Sequence, residues 1–567
     1  VSSKRGDCGS PYILDTADSR RIFAIHTAGN EGVEKAVGSL VFRDMLEQVS
    51  QSGEVPILSG NVQDLGFLPP MFAASRSKIV KTQIFNQVCE TTVAPAKLAR
   101  FDELNGPMTI ALKKQFEEVK AIDEETVHHA VKDYMGMLQD SNPPHELGVL
   151  SFRRATRGDE GSDYIRPINR KKSCGYPRGI NNPMVGKTKW FTEDWVPNEH
   201  TEALQKDIEQ QIAQMERGEP QVYIFTDTLK DETRPLAKVA AGKTRVFAAA
   251  PIDFTIVFRM YFLTFLAWMM QNRITNESTV GIRAQSSEWT SAFKKLSVFG
   301  PRVVAGDFSN YDGTLHPRIL WAVYDVIEHF YDMAGATPAE QSVRRCLWNS
   351  VVNSHHICGN IFYRLNHSQP SGNPATAILN SMYNSIACRY VFYRIYEPTV
   401  RFTDYVSMID YGDDNVLNIS PDVPLFNQEN MAIEFSLMGM KYTDEDKTET
   451  LMYKTIDQVS FLKRKFAYVE EERFCYAPLA LPSILECFNW TQKSDHELEI
   501  MIQNARAAYV ELAMHSEEVF LYWSKKIASA IRDTYGYICY PTANWSGYRL
   551  DIRTGVAIST VAELDWS

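Results

Sequence analysis

The tetrapeptide Tyr411-Gly412-Asp413-Asp414 lies between two runs rich in β-branched and apolar residues, 405–409 and 415–419. This pattern predicts a strand, a tight turn and a returning strand, with two carboxylates at the tip. Gly412 suits such a turn because glycine takes positive φ without strain. Adjacent aspartates repel each other unless a cation neutralises them, and hard carboxylate oxygens suit Mg²⁺ or Mn²⁺. An acidic hairpin turn by itself is equally compatible with a solvated loop. The rest of the chain decides between the two.

At 567 residues the chain exceeds what one hydrophobic core supports, so several subdomains are expected. With 44% hydrophobic and 23% charged residues, wholesale disorder is excluded. The formal net charge of −11 means that any nucleic-acid role must rest on local basic clusters. Nine scattered cysteines without a CxxC pair point to a reducing compartment, and away from a disulfide framework or structural zinc. The apolar stretch Met260 to Met270 is too short to span a bilayer and reads as a buried helix, so no transmembrane segment is expected. No signal peptide opens the chain, and Val1 in place of methionine suggests processing or a fragment boundary.

Gly6-Asp7-Cys8-Gly9 has the form of a nucleophile turn, in which small glycines allow close approach and backbone N–H groups can cradle an oxyanion. His26 follows in a strand-like context, Ile25-His26-Thr27-Ala28-Gly29. Together these segments resemble the C-terminal barrel of the chymotrypsin-like cysteine proteases of picorna-like viruses. That resemblance implies Cys8 as nucleophile and His26 in the pocket for a P1 glutamine. The histidine and acid of such proteases lie upstream of the nucleophile, and a thiol with a pKa near roughly 8.5 needs an adjacent base. Residues 1–51 are therefore expected to be an inactive protease remnant, with the chain cut from a longer polyprotein. Gln51-Ser52 and Gln48-Val49 would suit cleavage by such a protease.

Four further segments carry candidate chemistry. From 153 to 178 the chain is basic, with Ser173-Cys174-Gly175-Tyr176-Pro177 as a glycine-proline loop. It reads either as a solvated face or as a groove tracking a single-stranded template. Lys230, Arg234, Lys238, Lys243 and Arg245 alternate with small and apolar residues. Fixed cations converging on one point are what a triphosphate needs, although a solvated basic loop has the same composition. An apolar strand at 303–306 runs into Asp307, and Asp312 opens the following turn. At Ser371-Gly372-Asn373 a loop leads into a helix in which Thr376 and Asn380, spaced i, i+4, share a face.

Taken in order, these segments resemble the signature motifs of viral RNA-dependent RNA polymerases of the picorna-like group, over roughly residues 165 to 466. Asp307-Phe308-Ser309-Asn310-Tyr311-Asp312 and the Tyr411 to Ser420 segment are most similar to those of insect dicistroviruses or their marine relatives. The resemblance implies an α+β right hand of fingers, palm and thumb, with a partial β-barrel remnant at the N-terminus. The expected limits are 52–262 for the N-terminal region and fingers, 263–466 for the palm with a fingers insertion near 346–369, and 467–567 for the thumb.

It further implies that Asp307 and Asp413, supported by Asp414, hold two Mg²⁺ (or Mn²⁺) ions. Lys230, Arg234, Lys238 and Arg245 would steer the incoming NTP. Asp312 and Asn380, with Ser371 and Thr376 nearby, would read the ribose 2′-hydroxyl. Lys447 would act as general acid towards departing pyrophosphate. Ser173, Gly175 and Lys463 would contact template or primer. The implied partners are RNA template and primer, NTPs, a protein primer and other viral replication proteins. The implied setting is the host cytoplasm at membrane-associated replication complexes.

Three rivals stand beside this reading. A reverse transcriptase is opposed by Asp312 and Asn380, since such enzymes carry a bulky side chain where Asp312 falls. A noncatalytic RNA-binding module would need neither the carboxylates nor the triphosphate-facing cations. A fusion with an active protease is opposed by the missing upstream residues.

Overall fold

The computed structural model describes residues 62–556, apart from 72–75, 100–105, 117–118, 141–146, 181 and 445–451, together with the backbone of 11–16, 19–29 and 36–40. Its organising element is a four-stranded antiparallel sheet in the order Val406–Tyr411, Asp414–Ile419, Val303–Ser309, Lys441–Asp444. Strand side chains alternate between faces, and here each face has its own core. Val304, Phe308, Val406, Met408 and Leu417 join one apolar cluster, whereas Val303, Ala305, Ile409 and Val416 join the other. A sheet buried on both faces explains why these strands read as apolar runs rather than as a clean alternation.

The first cluster is closed by the helices Ile252–Gln271, Pro317–Met333 and Thr376–Ile395. The Ile252–Gln271 helix corrects an expectation. The apolar stretch at its C-terminal end is short, but the helix around it has 20 residues and is long and apolar enough to cross a membrane. Its most apolar window is 89% buried inside the protein, so its hydrophobicity serves the core. Even Arg259 is enclosed there, donating to the carbonyls of Ala155 at 2.6 Å and of Arg166.

A second sheet, ordered Val62–Met71, His355–Leu365, Ile224–Leu229, Val246–Ala249, flanks the central one. His355–Leu365 runs parallel to Ile224–Leu229, a pairing between segments far apart in sequence. At that seam His356 bonds Asp227 at 2.9 Å and Ser354 at 2.8 Å. The set resembles a hydrolytic triad, but all three residues are buried and no substrate could reach them. It serves to pin the two strands.

Towards the C-terminus the helices Glu497–Leu512, Glu517–Tyr535 and Trp545–Thr554 pack into the second cluster. Local signals delimit the middle one. Ser516 caps it by accepting from Val519 N–H, acids occupy its first turn, and Gly536 ends it at φ +68°. Near the N-terminus Pro11–Thr16, Ser19–Gly29 and Ala36–Leu40 form an antiparallel sheet in which His26 pairs with Gly38. Cys8 and the Gln48 to Gly53 segment lie outside the described residues.

Candidate active site

The acids gather at one rim of the central sheet. Tyr411 pairs with Asp414, which leaves Gly412 and Asp413 as a two-residue turn with Gly412 at φ +67°. Glycine at the first central position is the chemistry of a type II′ hairpin. On the neighbouring strand Asp307 lies opposite Thr443, and Asp312 follows in the short 3₁₀ turn Tyr311–Thr314. The strand can approach so closely because residue 306 is glycine. A Cβ there would sit 1.9 Å from the buried Tyr442 ring.

Electrostatics binds these acids together. Solvent reaches Asp413, yet its carboxyl is hemmed in by protein, and this desolvation with the charges of Asp312 and Asp307 pushes it up to about 6. Burial likewise raises Asp312, against the pull of Asn380 and the positive charge of Arg245. Three hard-oxygen donors under mutual repulsion are a set that a divalent cation relieves. Among the described residues no group of three His, Cys, Asp or Glu side chains is close enough to hold an ion unaided. An ion bound here would complete its coordination from phosphate or water oxygens.

Asp414 also has a backbone partner. Its carboxylate accepts from the Leu462 N–H at 2.9 Å, tying the acidic turn to the hairpin of Ser460–Phe461 and Arg464–Lys465. Leu462 and Lys463 form that hairpin's tip, both left-handed at φ +53° and +61°. Such backbone is held only where its surroundings over-determine it.

The cations converge on a residue that sequence reasoning passed over. Arg245 grips the Glu232 carboxylate through Nε at 2.6 Å and through Nη2. Lys230 and Arg234 each reach Glu232 at 3.7 Å. Burial pushes the Glu232 carboxyl up, but the Arg245 bond and the two further cations outweigh it and leave it lowered. Glu232 thus fills the point on which these three cations converge. Arg245 also feels Asp312 and Asp413, which puts it between the cations and the acidic rim. Lys238 sits in the short helix Leu236–Ala240, on the exposed side of the same segment. Glu232 follows Asp231 inside the basic run, and no sequence signal set it apart from that neighbour.

Asn380 meets Asp312, the pairing that the family resemblance implies, donating from Nδ2 at 3.0 Å, and its Oδ1 accepts from Gln369. Ser371 and Thr376 turn towards backbone. Ser371 Oγ accepts from Ala248 N–H at 3.1 Å, and Thr376 Oγ1 donates to the Asn373 carbonyl at 2.8 Å. Both hydroxyls shape the loop that delivers Asn380.

Ser173 and Gly175 also have backbone roles. Ser173 Oγ accepts from Gly175 N–H at 3.1 Å, and a Cβ on Gly175 (φ +68°) would lie 2.5 Å from the Ala250 carbonyl. In the surrounding basic stretch, Arg154, Arg157, Arg170 and Arg178 are paired with nearby acids. Lys447 lies outside the described residues.

The family described as viral RNA-dependent RNA polymerase matches residues 102–530. The replicase polyprotein of Drosophila C virus (strain EB) is 33% identical over 93% of this chain, and that of acute bee paralysis virus (strain Rothamsted) 33% identical over 97%. The chain spans about a third of the length of these relatives, 33% and 31% respectively. Among solved structures, the Sicinivirus 3Dpol RNA dependent RNA polymerase superposes with a TM-score of 0.70 at 23% identity, covering 86% of this chain and 97% of that one. A sheet whose rim gathers three acids beside a cation cluster, and a match over most of the length, agree: this chain belongs to the viral RNA-dependent RNA polymerase family.

Proposed function

We propose that the chain catalyses RNA-templated nucleotidyl transfer from NTPs to an RNA 3′-hydroxyl, as part of a viral polyprotein that replicates a positive-strand genome. The observation that carries this reading is the opposition of two charge sets. Asp307, Asp312 and Asp413 repel one another on one side, and Arg245 with its neighbours stands beside them. A nucleoside triphosphate with its divalent ions neutralises both sets at once.

In this reading Asp307 and Asp413 hold two Mg²⁺ or Mn²⁺ ions, which when bound activate the attacking 3′-oxygen and stabilise the leaving pyrophosphate. Arg245, Lys230 and Arg234 exchange Glu232 for phosphate oxygens and orient the α-phosphate for in-line attack. Asp312 and Asn380 accept and donate to the ribose 2′-hydroxyl. A deoxy substrate leaves that polar pair unsatisfied and is disfavoured. Asp414 acts at one remove, fixing the Leu462-Lys463 tip towards the primer end.

Extension of a primed RNA template, with each NTP and dNTP, in Mg²⁺ and in EDTA, tests the proposal. Metal-dependent extension that strongly prefers ribonucleotides is expected. Equal use of deoxynucleotides would favour the reverse transcriptase reading, and RNA binding without extension would favour the noncatalytic one.

A further inference from the structure

Both backbone polar groups of Gly412, in the acidic turn, are held by side chains from a single helix. The Gly412 N–H donates to Ser381 Oγ at 2.8 Å, and the Gly412 carbonyl accepts from Asn384 Nδ2 at 2.9 Å. Ser381 and Asn384 are fully buried in the helix Thr376–Ile395. One residue before Ser381 is Asn380, the partner of Asp312. Asn380 Cβ is also what a Cβ on Gly412 would meet, at 3.9 Å. One helical turn therefore touches Asp312 on one side and the backbone of the Asp413 turn on the other.

Both clamp residues are enclosed in the protein and bonded there to further groups. Asn384 Oδ1 accepts from Asn415 Nδ2 at 2.9 Å, and Asn415 Oδ1 in turn accepts from the Tyr442 hydroxyl at 2.8 Å. The Ser381 hydroxyl lies beside the buried Asp410 carboxyl, which accepts from Ser385 Oγ at 2.8 Å. Lower on the helix, Arg389 donates to Glu277 at 2.7 and 2.8 Å and to Asp133 at 2.7 Å. Buried donors and acceptors that lose their partners are costly. Helix and turn consequently move as one body or break several bonds together.

We propose that Ser381 and Asn384 are positioning residues that couple sugar recognition at Asn380 and Asp312 to the placement of Asp413. A ribose hydroxyl seated on Asn380 restrains the first turns of the helix, and the Gly412 clamp passes that restraint to the carboxylate beside it. Without the hydroxyl the helix start, and with it the turn, is less constrained. Sugar selectivity is then expressed in the rate of the chemical step as well as in binding. The inference rests on the polymerase reading above.

Single-nucleotide incorporation of GTP and dGTP on a primed RNA template tests it, using the full chain and the variants Ser381→Ala, Asn384→Ala, Asn380→Ala and the Asn380→Ala/Ser381→Ala double. Ser381→Ala is expected to lower kcat for GTP about ten-fold with KM within about two-fold, and to lower kcat for dGTP much less. The ratio between the sugars shrinks although Ser381 does not touch the nucleotide. In the double variant the GTP losses are less than additive, because both substitutions cut one path.

Equal losses for GTP and dGTP, or additive losses in the double variant, would overturn the coupling and leave a merely structural serine. A parent enzyme that incorporates no ribonucleotide would overturn the polymerase reading, and this inference with it. If Ser381→Ala unfolds, Ser381→Cys keeps the packing with a poorer acceptor and is read against the same outcomes.

Discussion

The two charged regions that meet at the site differ in how their charge is compensated. At the rim of the central sheet burial and mutual repulsion outweigh the pull of Arg245, so Asp413 is pushed up to about 6 and Asp312 is raised too. The cations of the 230–245 segment carry their own counterion in Glu232, which is lowered instead. Under the proposed function the first region takes up a cation, and the second exchanges its acid for an anion. Charge alone did not separate these two states; the position of each partner did.

The comparison breaks most visibly if the acidic rim can be reshaped. Gly306→Ala drives a Cβ into the Tyr442 ring at 1.9 Å and is expected to cost about 3 kcal/mol of stability, read as a lowered urea midpoint. An unchanged midpoint would mean that the strand carrying Asp307 yields freely. Asp414→Asn should keep at least roughly a tenth of the parent rate, since a neutral amide oxygen can still accept from Leu462 N–H. A loss as deep as that of Asp413→Asn would place Asp414 among the ion ligands.

Glu232→Gln sharpens the cation side. Relieving a half-exposed ion pair is worth less than about 1 kcal/mol, so KM for NTP at low salt should fall up to roughly five-fold, with a steeper dependence on salt. A rise in KM would mean that Glu232 orients the cations rather than competing for them.

The smallest effect concerns the buried Asp410 behind the turn. Burial, with Glu277 adding to it, holds its carboxyl up to about 8. Its folded value therefore exceeds its unfolded value, and its contribution to stability is present at low pH and lost as pH rises from about 4 through about 8. Asp410→Asn mimics the protonated acid, so it should flatten the fall in melting temperature between about pH 4 and about pH 8. A variant with the parent's pH dependence would remove Asp410 from the account.

Much of this was legible in the residues. The acidic hairpin, the strand into Asp307 and the helix after Ser371 all announced themselves through apolar pattern and turn residues. These are local signals, written within a few residues of where they act. The partners were not legible. Glu232 looked like any other acid within a basic run, Ser381 and Asn384 carried no signal of their own, and nothing announced that Asp414 also accepts from a backbone N–H. Their bonds to Arg245, Gly412 and Leu462 depend on which distant segment folds against them. Helix Ile252–Gln271 erred in the other direction, because its apolar stretch alone understated its length.

The most direct test of the central claim is single-turnover incorporation of one ribonucleotide by Asp413→Asn beside the parent, in Mg²⁺, with thermal unfolding as the control for the fold. The amide keeps the shape of the turn but removes the charge that a divalent ion needs. The account predicts a loss of about a thousand-fold or more at an unchanged melting temperature. Incorporation near the parent rate by a folded Asp413→Asn would contradict it.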